Sequence, residues 1–269
     1  MIEFLQHRPM ASSGGLSWRG RLYLLPFMIV PTVGLLLVFA AKFGFELFQA
    51  DRSVTISQTL GFGPNRLLAA LTGSLIGLLL GLCHLLIYRY NRFHMGCLQQ
   101  AGAAVPAWLH RANGALLGSA VWAGAAIALT LIFPSDSHPG WHEFLSYNLF
   151  IFCTATTVLD GHLAGRWRFV GPSSSHGQNQ GMFLLRRWVA VALVLLSLTY
   201  LGLFLGRGVW LPVGGVTQSL YVTTEYAIIL SYYLYMFAHY LELRRFFVSP
   251  DGGRFLGGTT AQASQSISR

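Results

Sequence analysis

Six apolar runs set the terms for this 269-residue chain: Leu22–Ala41, Leu67–Tyr88, Gly114–Phe133, Phe144–Leu163, Trp188–Leu205 and Ser219–Tyr240. Crossing the hydrocarbon of a bilayer takes about 20 apolar residues in helical form, since a helix keeps its backbone hydrogen bonds within itself. The runs therefore predict an all-α fold, a polytopic membrane protein built as a six-transmembrane-helix bundle. Composition agrees. Only 10% of residues are charged and 54% are hydrophobic, whereas soluble domains carry about 25% charged residues. So few charges cannot cover a water-exposed surface. The first run follows a basic leader but is too long for a signal-peptide core, and no small-x-small cleavage site follows it. A bend is expected in that helix at Pro26 or Pro31, which neighbouring helices can accommodate.

Orientation follows from the basic residues. Fourteen of the 18 Lys and Arg fall in alternate segments: Arg8, Arg19 and Arg21; Arg89, Arg92 and Arg111; Arg166, Arg168, Arg186 and Arg187; Arg244, Arg245, Arg254 and Arg269. The opposite side holds Lys42, Arg52, Arg66 and Arg207. Positive residues stay on the cytosolic side, so both termini are placed in the cytosol. The net charge of +9 is read as this topogenic charge, and no nucleic-acid partner is expected. The chain divides into a cytosolic leader (1–21), the transmembrane domain (22–243) and a Gly/Ser/Thr/Gln-rich tail (244–269) expected to be disordered in the cytosol. Gly171–Gly181 reads as a flexible cytosolic loop. Internal repeats, the usual mark of a secondary transporter, are not evident.

Cys83 and Cys153 fall within helices and Cys97 on the cytosolic side, so no lumenal disulfide is expected. Gly73, Gly77 and Gly81 recur at four-residue steps, as do Gly114 and Gly118, and Gly202 and Gly206. Such spacing opens grooves where helices approach closely.

Ionisable residues inside these runs are costly and should face protein or water. Tyr221, Glu225, Ile228, Tyr232, Tyr235, His239 and Glu242 follow steps of three and four, hence one inward face of the last helix. Depth sorts the polar groups into two layers. Arg66, His142, Glu143 and Glu225 belong to the lumenal layer, which reads as a salt-bridge network or as a lipid-headgroup site. His84, Asp160, His162, His239 and Glu242 belong to the cytosolic layer and are expected to snorkel towards lipid phosphates and arginines. Zinc is set aside on the reading that neither an HxxxH nor an HExxH pattern occurs, and no metal or other cofactor is expected.

Short motifs then recur in a familiar order. Ile56-Ser57 and Pro64-Asn65-Arg66 lead into a helix ending Tyr88-Arg89-Tyr90, Asn113-Gly114 opens the third, Ser135-Asp136 and His142-Glu143 open the fourth, and Glu225-Tyr226 lies in the sixth. This arrangement resembles the six-helix family of damage-regulated autophagy modulators. That family includes the post-GPI-attachment lipid-remodelling proteins and the amino-terminal part of the yeast cell-wall protein that places ceramide on GPI anchors. His142-Glu143 and Glu225-Tyr226 look more like the GPI-remodelling branch. The resemblance implies an endomembrane protein of the Golgi or endoplasmic reticulum acting on the lumenal side, in fatty-acid exchange on lyso-GPI. It would act either as an acyltransferase or as an accessory factor. Its partners would be membrane lipids, a GPI-anchored protein or lyso-GPI intermediate, and other membrane proteins. In that reading His142 and Glu143 carry the chemistry, while Arg66, Glu225, Tyr226 and Ser57 bind substrate. The alternative is a non-catalytic regulator of autophagy or trafficking, including one of the lysosomal membrane.

The orientation is directly testable. An engineered glycosylation acceptor within Ser135–Pro139 is expected to be modified and one within Ser173–Gln180 to stay unmodified; the reverse pattern would invert the topology.

Overall fold

The computed structural model describes residues 16–48, 66–100, 102–135, 137–167, 180–206, 208–212 and 215–248. Among them are six α-helices: α1 Trp18–Phe48, α2 Arg66–Gln100, α3 Ala107–Ile132, α4 Pro139–Trp167, α5 Gln180–Gly206 and α6 Gly215–Val248. Each packs on its neighbour in sequence, and α6 returns to α1, closing a ring. The rings of Tyr23 in α1 and Phe247 in α6 lie 6.2 Å apart. The start of α1 and the finish of α6 therefore share one end of the bundle.

The distribution of leucines identifies the solvent. On α2, Leu71, Leu75, Leu78 and Leu82 form an exposed stripe, and Leu195, Leu198 and Leu205 do the same on α5. Continuous stripes of this kind are at home against lipid rather than water. By length and composition α1, α2, α3 and α5 can each cross a membrane. At 29 and 34 residues α4 and α6 also have the length, but polar side chains dilute their apolar runs. Most of that polarity is turned inward. Asp160, Glu225, His239 and Glu242 are all buried, as is the whole expected face of α6 from Tyr221 to Glu242.

The helices outrun the apolar stretches. Buried Tyr90, Asn91 and Met95 carry the inward face of α2 on to Gln100, so Arg89 and Arg92 ride on a helix rather than in a loop. A Schellman turn then stops α2: Gly102 N–H donates to Gln99 O and Ala103 N–H to Leu98 O, each at 3.0 Å. Gly102 supplies the left-handed residue, with φ of 81°. Next, α3 starts at Ala107, ahead of Gly114, with Pro106 in an extended conformation before it. The last two residues of the Gly171–Gly181 segment belong to α5, and α6 extends past Arg244 and Arg245 to Val248. Pro26 and Pro31 both lie inside α1. The leader before residue 16 and the tail beyond Val248 lie outside the described residues.

Close helix contact is built at particular glycines only. A side-chain carbon on Gly77 would strike the Gly124 carbonyl, and one on Gly124 would strike the Gly77 carbonyl. Hence α2 and α3 cross backbone to backbone. Gly73 accommodates Leu131 in the same seam. By contrast Gly81, Gly114, Gly118 and Gly202 have nothing within 4 Å of that position, and Gly206 faces Trp210 of its own turn. Four-residue spacing thus located the α2 side of the seam, while the partner is Gly124 rather than Gly114 or Gly118. Polar pairs reinforce the ring: Asn91 Nδ2–H donates to Asn113 Oδ1 and Asn113 Nδ2–H to Tyr88 O, both at 3.0 Å. The hydroxyls of Ser119 and Thr156 meet at 2.9 Å, and those of Thr154 and Ser197 at 2.8 Å.

Gly77→Ala is expected to destabilise the bundle by about 1–3 kcal/mol through overpacking, whereas Gly81→Ala should be neutral or slightly stabilising. Unfolding of the two variants in detergent measures the difference, and equal behaviour would refute the crossing.

Candidate functional site

The cytosolic layer is a closed ionic network. Asp160 on α4 accepts hydrogen bonds through Oδ2 from Arg186 Nη1–H at 3.2 Å and from His239 Nε2–H at 3.0 Å. Arg186 on α5 also pairs through Nη2 with Glu242 Oε2 at 3.0 Å. On α6, Glu242 accepts at Oε1 from the Tyr90 hydroxyl of α2, at 3.3 Å. The His239 ring stands edge-on to Tyr235 at 4.7 Å. One turn deeper, His84 Nδ1–H donates to Leu80 O at 2.9 Å, and its Nε2 faces the Tyr232 hydroxyl at 3.3 Å. Four helices are tied together by side chains that are each at most 7% exposed.

Snorkelling is therefore not what these groups do. Asp160 and His239 are 1% exposed and Glu242 7%, and their charges are answered inside the bundle because an arginine has entered it. His162 alone behaves as expected of the layer: it is exposed and rests against Trp108 with ring centroids 5.4 Å apart. Arg186 itself is the residue that charge counting misplaces. It looks like half of a loop Arg-Arg pair, yet it shares the buried face of Val189, Leu193 and Tyr200. That three-and-four spacing was the available signal.

The layer expected on the lumenal side is organised differently. His142 lies in the first turn of α4 and is buried, at 4% exposure. Its Nδ1 is 3.1 Å from Thr130 O and 2.8 Å from Phe133 O, two carbonyls at the end of α3. Both partners are acceptors, so Nδ1 carries the proton, and in the neutral ring Nε2 keeps its lone pair. That Nε2 is buried with no hydrogen-bond partner among the described residues. Thr130 connects this ring to a half-open cavity of about 120 Å³, which it lines together with Glu225, Phe150, Ile228 and Tyr232. The space is close to the ~150 Å³ known to take a benzene ring. It suits a few methylenes and not a whole acyl chain.

The remaining candidates scatter. Glu225 is buried on the cavity wall and Tyr226 is half-buried beside it in sequence. Glu143 and Arg66 are both exposed at the surface, so carbonyl oxygens rather than a carboxylate orient His142. Ser57 lies outside the described residues. The expectation that no HxxxH pattern occurs is wrong: His138 stands four residues before His142, a spacing that can hold zinc on a helix. It precedes the first residue of α4, however, and is exposed beside Ser137. Among the described residues no group of three or more His, Cys, Asp or Glu could hold a metal.

No protein-family model, curated protein or solved structure matches this chain. The family resemblance rests on the motifs alone.

Breaking the ionic network should be costly. Arg186→Gln leaves Asp160 and Glu242 buried without their cation and is expected to lower stability by about 3–5 kcal/mol. Its exposed neighbour variant Arg187→Gln should change stability by no more than about 0.5 kcal/mol. Denaturant unfolding in detergent compares them, and a mild effect of Arg186→Gln would show that the network is not holding the ring.

Proposed function

We propose that this chain is a multipass endomembrane protein, of the Golgi or endoplasmic reticulum, that acts in lipid remodelling of GPI anchors on the lumenal side by acyl exchange on a lyso-GPI. The observation that carries the reading is His142, a buried imidazole with its proton fixed on Nδ1 and its Nε2 unengaged. A general base needs that arrangement: one nitrogen held by an acceptor and the other able to take a proton. In the reaction, Nε2 removes the proton of the lyso-lipid hydroxyl as its oxygen bonds to the carbonyl carbon of an ester or thioester donor. The proton then passes to the oxygen or sulfur that leaves. The small cavity next to Thr130 receives at most the end of an apolar chain. Exposed Arg66 at the start of α2 is free to meet a lipid phosphate.

A second reading has its own support. The same two hydrogen bonds satisfy carbonyls left over at the end of α3, so His142 also works as a tie between α3 and α4. In a non-catalytic regulator of autophagy or trafficking that tie would be its whole purpose.

The two separate on His142→Gln, whose amide N–H can still reach the carbonyls while its oxygen cannot act as a base near neutral pH. In cells lacking the protein, wild-type chain is expected to restore the sn-2 acyl chain of GPI anchors. His142→Gln, made and delivered normally, is expected to fail by at least ~10²-fold in remodelling rate. Full rescue by His142→Gln removes the base. Normal anchors with altered autophagic flux in the null cells favour the regulator.

A further inference from the structure

Between α4 and α5, towards the end of the ring expected in the cytosol, lies an open groove of about 690 Å³. Small residues make the opening. A side-chain carbon on Gly161 would lie 4.0 Å from that of Ala190, and one on Gly165 would lie 3.6 Å from the Phe183 ring. Two cationic or polar side chains border it, Arg187 of α5 and His162 of α4, and both are exposed. Arg187 differs sharply from the arginine before it: Arg186 is consumed by the internal network, whereas Arg187 has no hydrogen bond or ion pair among the described residues. The rest of the wall is apolar, with Val158 on α4 and Val191, Val194 and Leu195 on α5.

Direction along the helices decides what fits. From Arg187 to Leu195, α5 advances about 12 Å at ~1.5 Å per residue, away from the cytosolic end and into the hydrocarbon. The groove thus begins with an unpaired guanidinium at headgroup depth and continues as an apolar trough. A soluble anion has no use for the trough. A neutral lipid has none for the guanidinium. We propose that this groove binds an anionic glycerophospholipid of the cytosolic leaflet, its phosphate held by Arg187 with His162 alongside and the first part of an acyl chain laid against Val191, Val194 and Leu195. This site lies at the opposite end of the bundle from His142 and does not depend on the remodelling activity.

Full-length protein in phosphatidylcholine nanodiscs doped with phosphatidylglycerol provides the test, with retained lipid counted by native mass spectrometry. Wild-type chain is expected to keep phosphatidylglycerol in preference to phosphatidylcholine. Arg187→Gln, an exposed change that leaves the interior intact, should reduce that retention roughly five-fold. Arg111→Gln, on α3 and outside the groove, should not. Undiminished retention by Arg187→Gln overturns the site, and an equal loss in Arg111→Gln overturns it in favour of diffuse surface charge. Displacement of the lipid by water-soluble glycerol phosphate at matching concentration overturns the lipid as occupant and leaves a free-anion site.

Discussion

An arginine inside a membrane protein cannot shed its charge, so the rest of the structure has to come to it. Arg186 enters the ring from α5 and is met by Asp160 from α4, Glu242 and His239 from α6 and, through Glu242, Tyr90 from α2. Without those partners the charge would cost about 2.5–3.5 kcal/mol even on the mildest insertion scales. Meeting it fixes the rotation of four helices at once. Turning α5 so that Leu185 took the place of Arg186 would strand both carboxylates. The polarity of α4 and α6 has the same origin. These two helices lack an apolar window of membrane length, and they are the ones that supply the counter-charges.

The other side of the ring is held by proximity rather than charge. Between helices in lipid there is little hydrophobic gain from association, so stability comes from dispersion and a few polar bridges. The contact of Gly77 with Gly124 brings two backbones together, and the Asn91–Asn113–Tyr88 bridge fixes the register towards one end of that seam. The two devices divide the ring: α2 and α3 are locked by shape, and α4, α5 and α6 by charge. Tyr90 joins the halves, since it sits on α2 and donates to Glu242 on α6.

Much of this was legible in the sequence, for reasons that also explain the rest. Length and hydropathy reveal six helices because a bilayer has one thickness. The face of α6 from Tyr221 to Glu242 was readable because helical periodicity is strict. Helix ends were not, since α2 and α6 continue outside the hydrocarbon where apolar runs stop but inward faces do not. Arg186 was misread because counting basic residues treats an Arg-Arg pair as one loop feature, though the helix sends its two members in different directions. Gly124 was missed because spacing names a groove without naming the helix that fills it. His142 was picked out by depth and chemistry. Its partners could not be, because every residue has a carbonyl and only the fold decides which two are left over.

Three buried histidines show why His142 stands apart. His239 gives its Nε2–H to Asp160 and lies within 3.5 Å of Arg186, so removing or adding a proton there disturbs a balanced ion cluster. His84 uses Nδ1 on Leu80 O and meets the Tyr232 hydroxyl with Nε2, so both nitrogens are occupied. His142 spends Nδ1 on two carbonyls and leaves Nε2 bare in a buried position. A buried acceptor without a partner costs roughly 1–3 kcal/mol. A hydroxyl bound at Nε2 would offset that cost, as the proposed role of His142 as a base requires.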